Sequence, residues 1–222
     1  MGWSERSPVF RARLRNWALR YASHGWEVLP GAWLSDGRFD CGRPGCPTIG
    51  CHPALDRWDQ EASTEPRRVA AWWRRHPHAV LLATGRSFDV LEVPAHLGVR
   101  ALGAARVRAR FGLTRPIPTR GPVAVTPTGR WMFLVRPGAA LHPDLAQCPD
   151  IVQHGPDSWI PAPPTLLPEG PVRWAVSPEE TRWRLPDAWL VQEALVEART
   201  ATPSLTHDTR LSWPVPRLGR AS

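Results

Sequence analysis

Phe10, Leu14, Trp17 and Tyr21 recur at steps of three and four residues, with arginines filling the positions between them. That spacing predicts a helix with one apolar stripe and one basic face. Ser7-Pro8 supplies a cap and a first-turn proline, and Gly25 ends the run. Residues 26–34 (WEVLPGAWL) then read as a strand interrupted by Pro30-Gly31. A second helix is expected from Thr64-Glu65-Pro66, carrying Val69, Trp72 and Trp73 and stopped by Pro77. Ala79–Ala83 and Phe88–Val93 are short apolar strands, and residues 95–111 make a basic helix weakened by Gly98 and Gly103.

The second half alternates in a strand-like way. Val123–Thr126 and Trp131–Val135 flank Pro127-Thr128-Gly129, a hairpin signal. Asp150–Gln153, Trp159–Pro161 and Val172–Val176 follow as strands, and residues 186–199 as a closing helix. From Thr200 the chain turns to Pro, Ser, Thr and Arg without periodicity, which predicts a disordered basic tail over 200–222. This order of elements predicts an α+β (mixed α/β) single domain over residues 8–199.

The pattern leaves residues 41–52 (CGRPGCPTIGCH) unexplained. They hold three of the four cysteines of the chain and a histidine, separated by glycines and prolines that belong in turns. Such a knuckle can aim soft ligands at one centre, and a structural Zn²⁺ held by Cys41, Cys46, Cys51 and His52 is the expectation. Cys51 and His52 are adjacent, so His24, His76 or Cys148 stands as an alternative fourth ligand. The rival is a disulfide. With no secretory pattern among the arginine-rich first twenty residues and no bilayer-length apolar run, a cytoplasmic location is expected, and metal is favoured over disulfide there.

Charge adds a partner class. The chain of 222 residues carries a formal net charge of +8, which points to an anionic partner, nucleic acid first. All 28 basic residues are arginine, and Ala, Pro, Gly and Trp are abundant, so part of this excess reflects a high-GC coding bias. The arginines at 100, 106, 108 and 110 would either follow a phosphate backbone or form one solvated helix face.

Six segments in order carry a resemblance: ALRYASHGWEVLP at 18–30, CGRPGCPTIGCHP at 41–53, WWRRHPHAVLLATG at 72–85, FDVLEVPAHLG at 88–98, TPTGRWMFLV at 126–135 and DIVQHGPDSWIPAPPT at 150–165. Over roughly residues 12–178 the chain resembles the prim-pol family of bifunctional DNA primase/polymerases, in the archaeo-eukaryotic primase superfamily. The resemblance implies two-metal nucleotidyl transfer with Mg²⁺ or Mn²⁺, a single-stranded DNA template and nucleotides as partners, and carboxylates that hold the metal pair. It places Glu92 at the paired-acid motif and Asp150 at the third acid. Arg130, with Thr128 and Gly129, falls at the glycine turn that holds the incoming nucleotide.

The chain also departs from that pattern. Pro94 stands where the second acid belongs, and Trp131 where the motif has a histidine. Asp89 lies three positions from Glu92 and so on the other side of the strand. Glu92 alone is equally readable as a solvent-facing strand position, Asp150 as a strand-start turn residue, and Trp131 as core packing or a base-stacking platform. Two functions follow: a primase/polymerase with eroded motifs, or a catalytically inactive nucleic-acid- or nucleotide-binding accessory protein. A zinc-clipped interaction module is a third. No GxxxxGK[ST] loop occurs in the sequence, so unwinding would fall to a partner or attached helicase.

Overall fold

The computed structural model describes residues 7–110 and 121–200, with side chains given outside 104–110. In chain order the elements are α1 (Pro8–Ser23), β1 (Val28–Gly31), β2 (Trp33–Ser35), β3 (Arg38–Asp40), α2 (Trp58–Glu61), α3 (Pro66–Trp72) and β4 (Ala79–Ala83). Then come β5 (Asp89–Pro94), α4 (Ala95–Arg110), β6 (Val123–Val125), β7 (Arg130–Val135), α5 (Pro143–Ala146) and β8 (Val152–His154). The last are β9 (Trp159–Pro161), β10 (Leu166–Leu167), β11 (Gly170–Pro171), β12 (Arg173–Val176) and α6 (Ala188–Thr200). The mixed α and β class expected from the pattern is what the chain adopts. The tail expected beyond Thr200, and the side chains of Arg106, Arg108 and Arg110, lie outside the described residues.

Two antiparallel sheets organise the molecule, a five-stranded one in the order β12-β6-β7-β5-β8 and a three-stranded one in the order β1-β4-β9. Alternation along β5 explains how the large sheet is covered on both sides. Leu91 and Val93 join Phe133 and Val135 beneath α4 and α6 in one core. Val90 joins Ala124, Met132 and Leu134 in a second core with Val80 and Leu82 of β4 and with Phe10, Leu14 and Tyr21 of α1. Glu92 shares the parity of Val90, so it faces the second side.

The helical stripe read at Phe10, Leu14 and Tyr21 is buried as expected, and the Ser7 side chain accepts from the Val9 N–H at the N-terminus. Trp17 is only partly covered. Pro30-Gly31 does not interrupt its strand. β1 is the edge strand of its sheet, paired to β4 and met on its other side only by isolated bridges at Val28–Ser63 and Gly31–Pro53 among the described residues, and such an edge tolerates a proline that cannot donate to the ladder. Gly31 is required there by close approach: a Cβ would lie 2.8 Å from Leu81 Cγ. The chain then folds back as a β2–β3 hairpin, registered Trp33 to Asp40, which delivers it into the knuckle.

Candidate functional site

The turn residues Thr126–Gly129 set the first side chain of the site. Thr126 N–H donates to Arg130 O (2.9 Å), Gly129 N–H to Thr126 O (3.0 Å), and Arg130 N–H to Thr126 Oγ1 (3.0 Å). Gly129 sits at φ +84°, a conformation that glycine adopts without a Cβ penalty. Thr128 Oγ1 lies 2.9 Å from Thr126 Oγ1. Thr128 and Gly129 thus build the turn, and the turn launches Arg130 onto β7 with the parity of Met132, the residue paired with Glu92.

Arg130 closes on Glu92. Its Nε donates to Glu92 Oε1 at 2.7 Å, and a terminal guanidinium nitrogen donates to the main-chain carbonyl of Asp150 at 2.7 Å. The other carboxylate oxygen, Oε2, takes the Nε2 of His154 at 2.9 Å, whose Nδ1 is 2.9 Å from Ser158 Oγ. The three side chains are mostly buried, with 27%, 20% and 18% of the Arg130, Glu92 and His154 side chains exposed. Burial by itself would raise the Glu92 pKa. The hydrogen bonds and charges of His154 and Arg130 outweigh it, and Glu92 is held below the ordinary carboxylate value.

His154 is the residue that sequence reasoning missed. It reaches Glu92 through the β5–β8 ladder, where Val90 pairs with His154 and Glu92 with Val152. The only sequence signal was position: His154 lies one residue past the strand expected over Asp150–Gln153, with the parity of Val152. Asp150 itself is exposed and enters the network through its carbonyl, not its carboxylate. Asp89 faces away as expected, its Oδ2 accepting from Gly138 N–H at 2.9 Å. Trp131 lies on the face opposite Glu92 and packs on α4, where a Cβ at Gly98 would come within 2.4 Å of its Cγ. Core packing, not stacking in a cleft, is its role, and Gly98 is the small residue that admits it.

The second candidate site is the knuckle. Cys41, Cys46 and His52 bring one ligand atom each to within 4.8 Å of one another. A tetrahedral ion with Zn–S bonds of about 2.3 Å draws its ligands to about 3.7 Å apart. Cys46 Sγ and His52 Nε2 are already 3.4 Å apart. His52 Nδ1 donates to Gly50 O at 2.7 Å, which fixes the tautomer and leaves Nε2 for a metal. Arg43 Nε donates to Cys41 Sγ at 3.4 Å, and Arg43 is paired with Asp56. Burial opposes ionisation of Cys41, yet the hydrogen bonds from Arg43 and His52 prevail and bring its pKa down to about 6. Thiolate is the ligating form, so the donor set fits a soft divalent cation such as Zn²⁺.

Cys51 is not part of this group. It packs against the apolar cluster of Leu29, Ala79, Leu81 and Ala83, and burial pushes its thiol up to about 12. Consecutive residues 51 and 52 point to different sides, which is why the adjacent pair does not share one centre. The alternatives fare no better: His24 stacks on Trp183 (3.6 Å), His76 on Trp33 (4.4 Å), and Cys148 Sγ sits against Asp144 O (3.6 Å). Among the described residues the cluster therefore has three protein ligands.

Residues 18–188 match the family described as bifunctional DNA primase/polymerase, N-terminal, and the chain belongs to that family. No curated protein matches it. Among the described residues no helix is long and apolar enough to cross a membrane.

Proposed function

We propose that this prim-pol family chain binds single-stranded DNA and nucleotides without transferring nucleotides, as an accessory or regulatory protein. One observation carries the reading: both oxygens of Glu92 are taken, by Arg130 and by His154. Two-metal transfer needs carboxylate oxygens free to bridge divalent ions. Here a guanidinium lies between Glu92 and the main chain of Asp150, supplying fixed positive charge where a metal would have to sit. Pro94, at the second acid position, offers no ligand. The Arg130 guanidinium suits phosphate oxygens, which guanidinium groups hold by charge-assisted hydrogen bonds. Zn²⁺ in the knuckle would be structural, clipping a turn-rich segment with few ordered elements.

Incorporation of labelled nucleotides on primed and unprimed single strands, with Mg²⁺ and with Mn²⁺, tests this directly. The expected result is no extension, alongside DNA binding that weakens steeply with salt. Extension abolished by both Glu92→Ala and Asp150→Ala would establish a rearranged metal site and a working polymerase. The exposed Asp150 carboxylate is the feature that favours this second reading.

A further inference from the structure

A cavity of about 260 Å³ opens on the same face of the large sheet as Glu92 but at its opposite edge. Phe10, Arg13 and Trp17, one stripe of α1, form one wall; Arg173 and Trp174 of β12 form another, and Pro164 contributes to the lining. The register places this pocket relative to the first site. Trp174 pairs with Ala124, Ala124 with Met132, and Met132 with Glu92, giving one row across four strands. At about 4.8 Å per strand the two sites are about 14 Å apart.

We infer that this pocket is a stacking subsite for one base of a single-stranded DNA; the inference rests on the nucleic-acid-binding reading above. Its volume lies below the roughly 300–1,000 Å³ of sites for drug-sized ligands, which suits a single heteroaromatic ring. Two half-buried indoles, Trp17 and Trp174, offer flat apolar surfaces, and every base has a π-face to lay on them. Arg13, on the same stripe of α1 as Trp17, brings positive charge to the pocket, matching the phosphates that flank a stacked base. A ring beside an anion is the chemistry of a nucleotide unit.

Binding of the full chain to a fluorescent 20-nucleotide single strand, with one abasic position moved along it, is the test. One or two positions are expected at which loss of the base weakens binding by about 5- to 150-fold. Trp174→Ala should flatten that profile, and the surface change Arg13→Glu, on the exposed side of α1, should weaken binding to every strand. A flat abasic profile together with unchanged affinity in Arg13→Glu, while Arg130→Ala still loses affinity, overturns the pocket and leaves the binding role standing. No binding of the wild-type chain to any strand defeats the binding role, and the pocket with it.

Discussion

The knuckle and the carboxylate site are both places where a cation belongs, and they have solved the problem differently. Cys41, Cys46 and His52 converge with no cationic atom bonded to all three, while Arg43 touches the thiols from the side. Both oxygens of Glu92 are already engaged, one by a guanidinium and one by an imidazole, each within 2.9 Å. A soft, three-ligand cluster gains most from binding a metal. A carboxylate with both oxygens engaged must first lose protein partners, and the exchange gives little. The acid of a family motif does not by itself make a metal site; the partners of its oxygens decide.

The largest expected effect tests the knuckle. Cys41→Ser or His52→Ala should abolish binding of one Zn²⁺ per chain, read by chromogenic chelator titration, and destabilise the fold by several kcal/mol in the zinc-loaded comparison. Cys51→Ser should keep the full stoichiometry. Loss of zinc in Cys51→Ser would place that thiol back among the ligands.

Acid should separate the two regions. His78 flanks the knuckle: its Nδ1 donates to Gly31 O at 2.9 Å, and its ring meets Trp33 edge-on at 5.0 Å. Burial lowers its pKa from 6.5 to about 4. The unfolded chain therefore binds a proton first, and stability falls as pH drops from about 6.5 to about 4, by up to about 3 kcal/mol. Glu92 behaves oppositely in position: its depressed pKa contributes stability that is fully present above the ordinary carboxylate value and is lost only as pH falls through the depressed one. Denaturation midpoints measured from pH 7 to pH 3 should show two windows, with His78→Gln removing the upper one and Glu92→Gln the lower.

Arg130→Ala breaks the comparison most directly. It leaves Glu92 and His154 without their fixed cation, at a cost of about 1–3 kcal/mol, or a Tm lower by roughly 2–12 °C. It should also create weak Mn²⁺ binding that the wild-type site lacks, detectable by electron paramagnetic resonance of free Mn²⁺. An unchanged free-Mn²⁺ signal would show that the guanidinium is not what keeps metal out. A change confined to stability belongs to the far side of the same sheet. Gly98→Ala forces its new Cβ against Trp131 and should cost about 1–3 kcal/mol with no change in metal or DNA binding.

Much of the fold was readable along the chain. The stripe of α1, the apolar runs of β4 and β5 and the glycine turn between β6 and β7 are local patterns, and each formed where its periodicity placed it. The short β10–β11 pair and the α2 and α5 turns were not readable, because two to four residues carry too little period to register. Trp131 looked like a lost active-site residue because motif position says nothing of strand parity; parity put it under α4. The knuckle was legible as a cluster, but not which of its four candidates diverged, since neighbouring side chains separate only once the apolar patch beneath Cys51 exists.

What the sequence alone determined is therefore short-range: a turn-rich segment that keeps Cys41, Cys46 and His52 within a dozen residues, and a strand that shows Glu92 to one face. Only the tertiary structure decided what Glu92 meets there. Arg130 is 38 residues away and His154 is 62, and both arrive through the cross-strand registers of β7 and β8. Side-chain periodicity fixes the face of a residue but not its neighbour across the ladder. The pairing of strands, set by packing of both sheet faces, supplied that neighbour and with it the chemistry of the site.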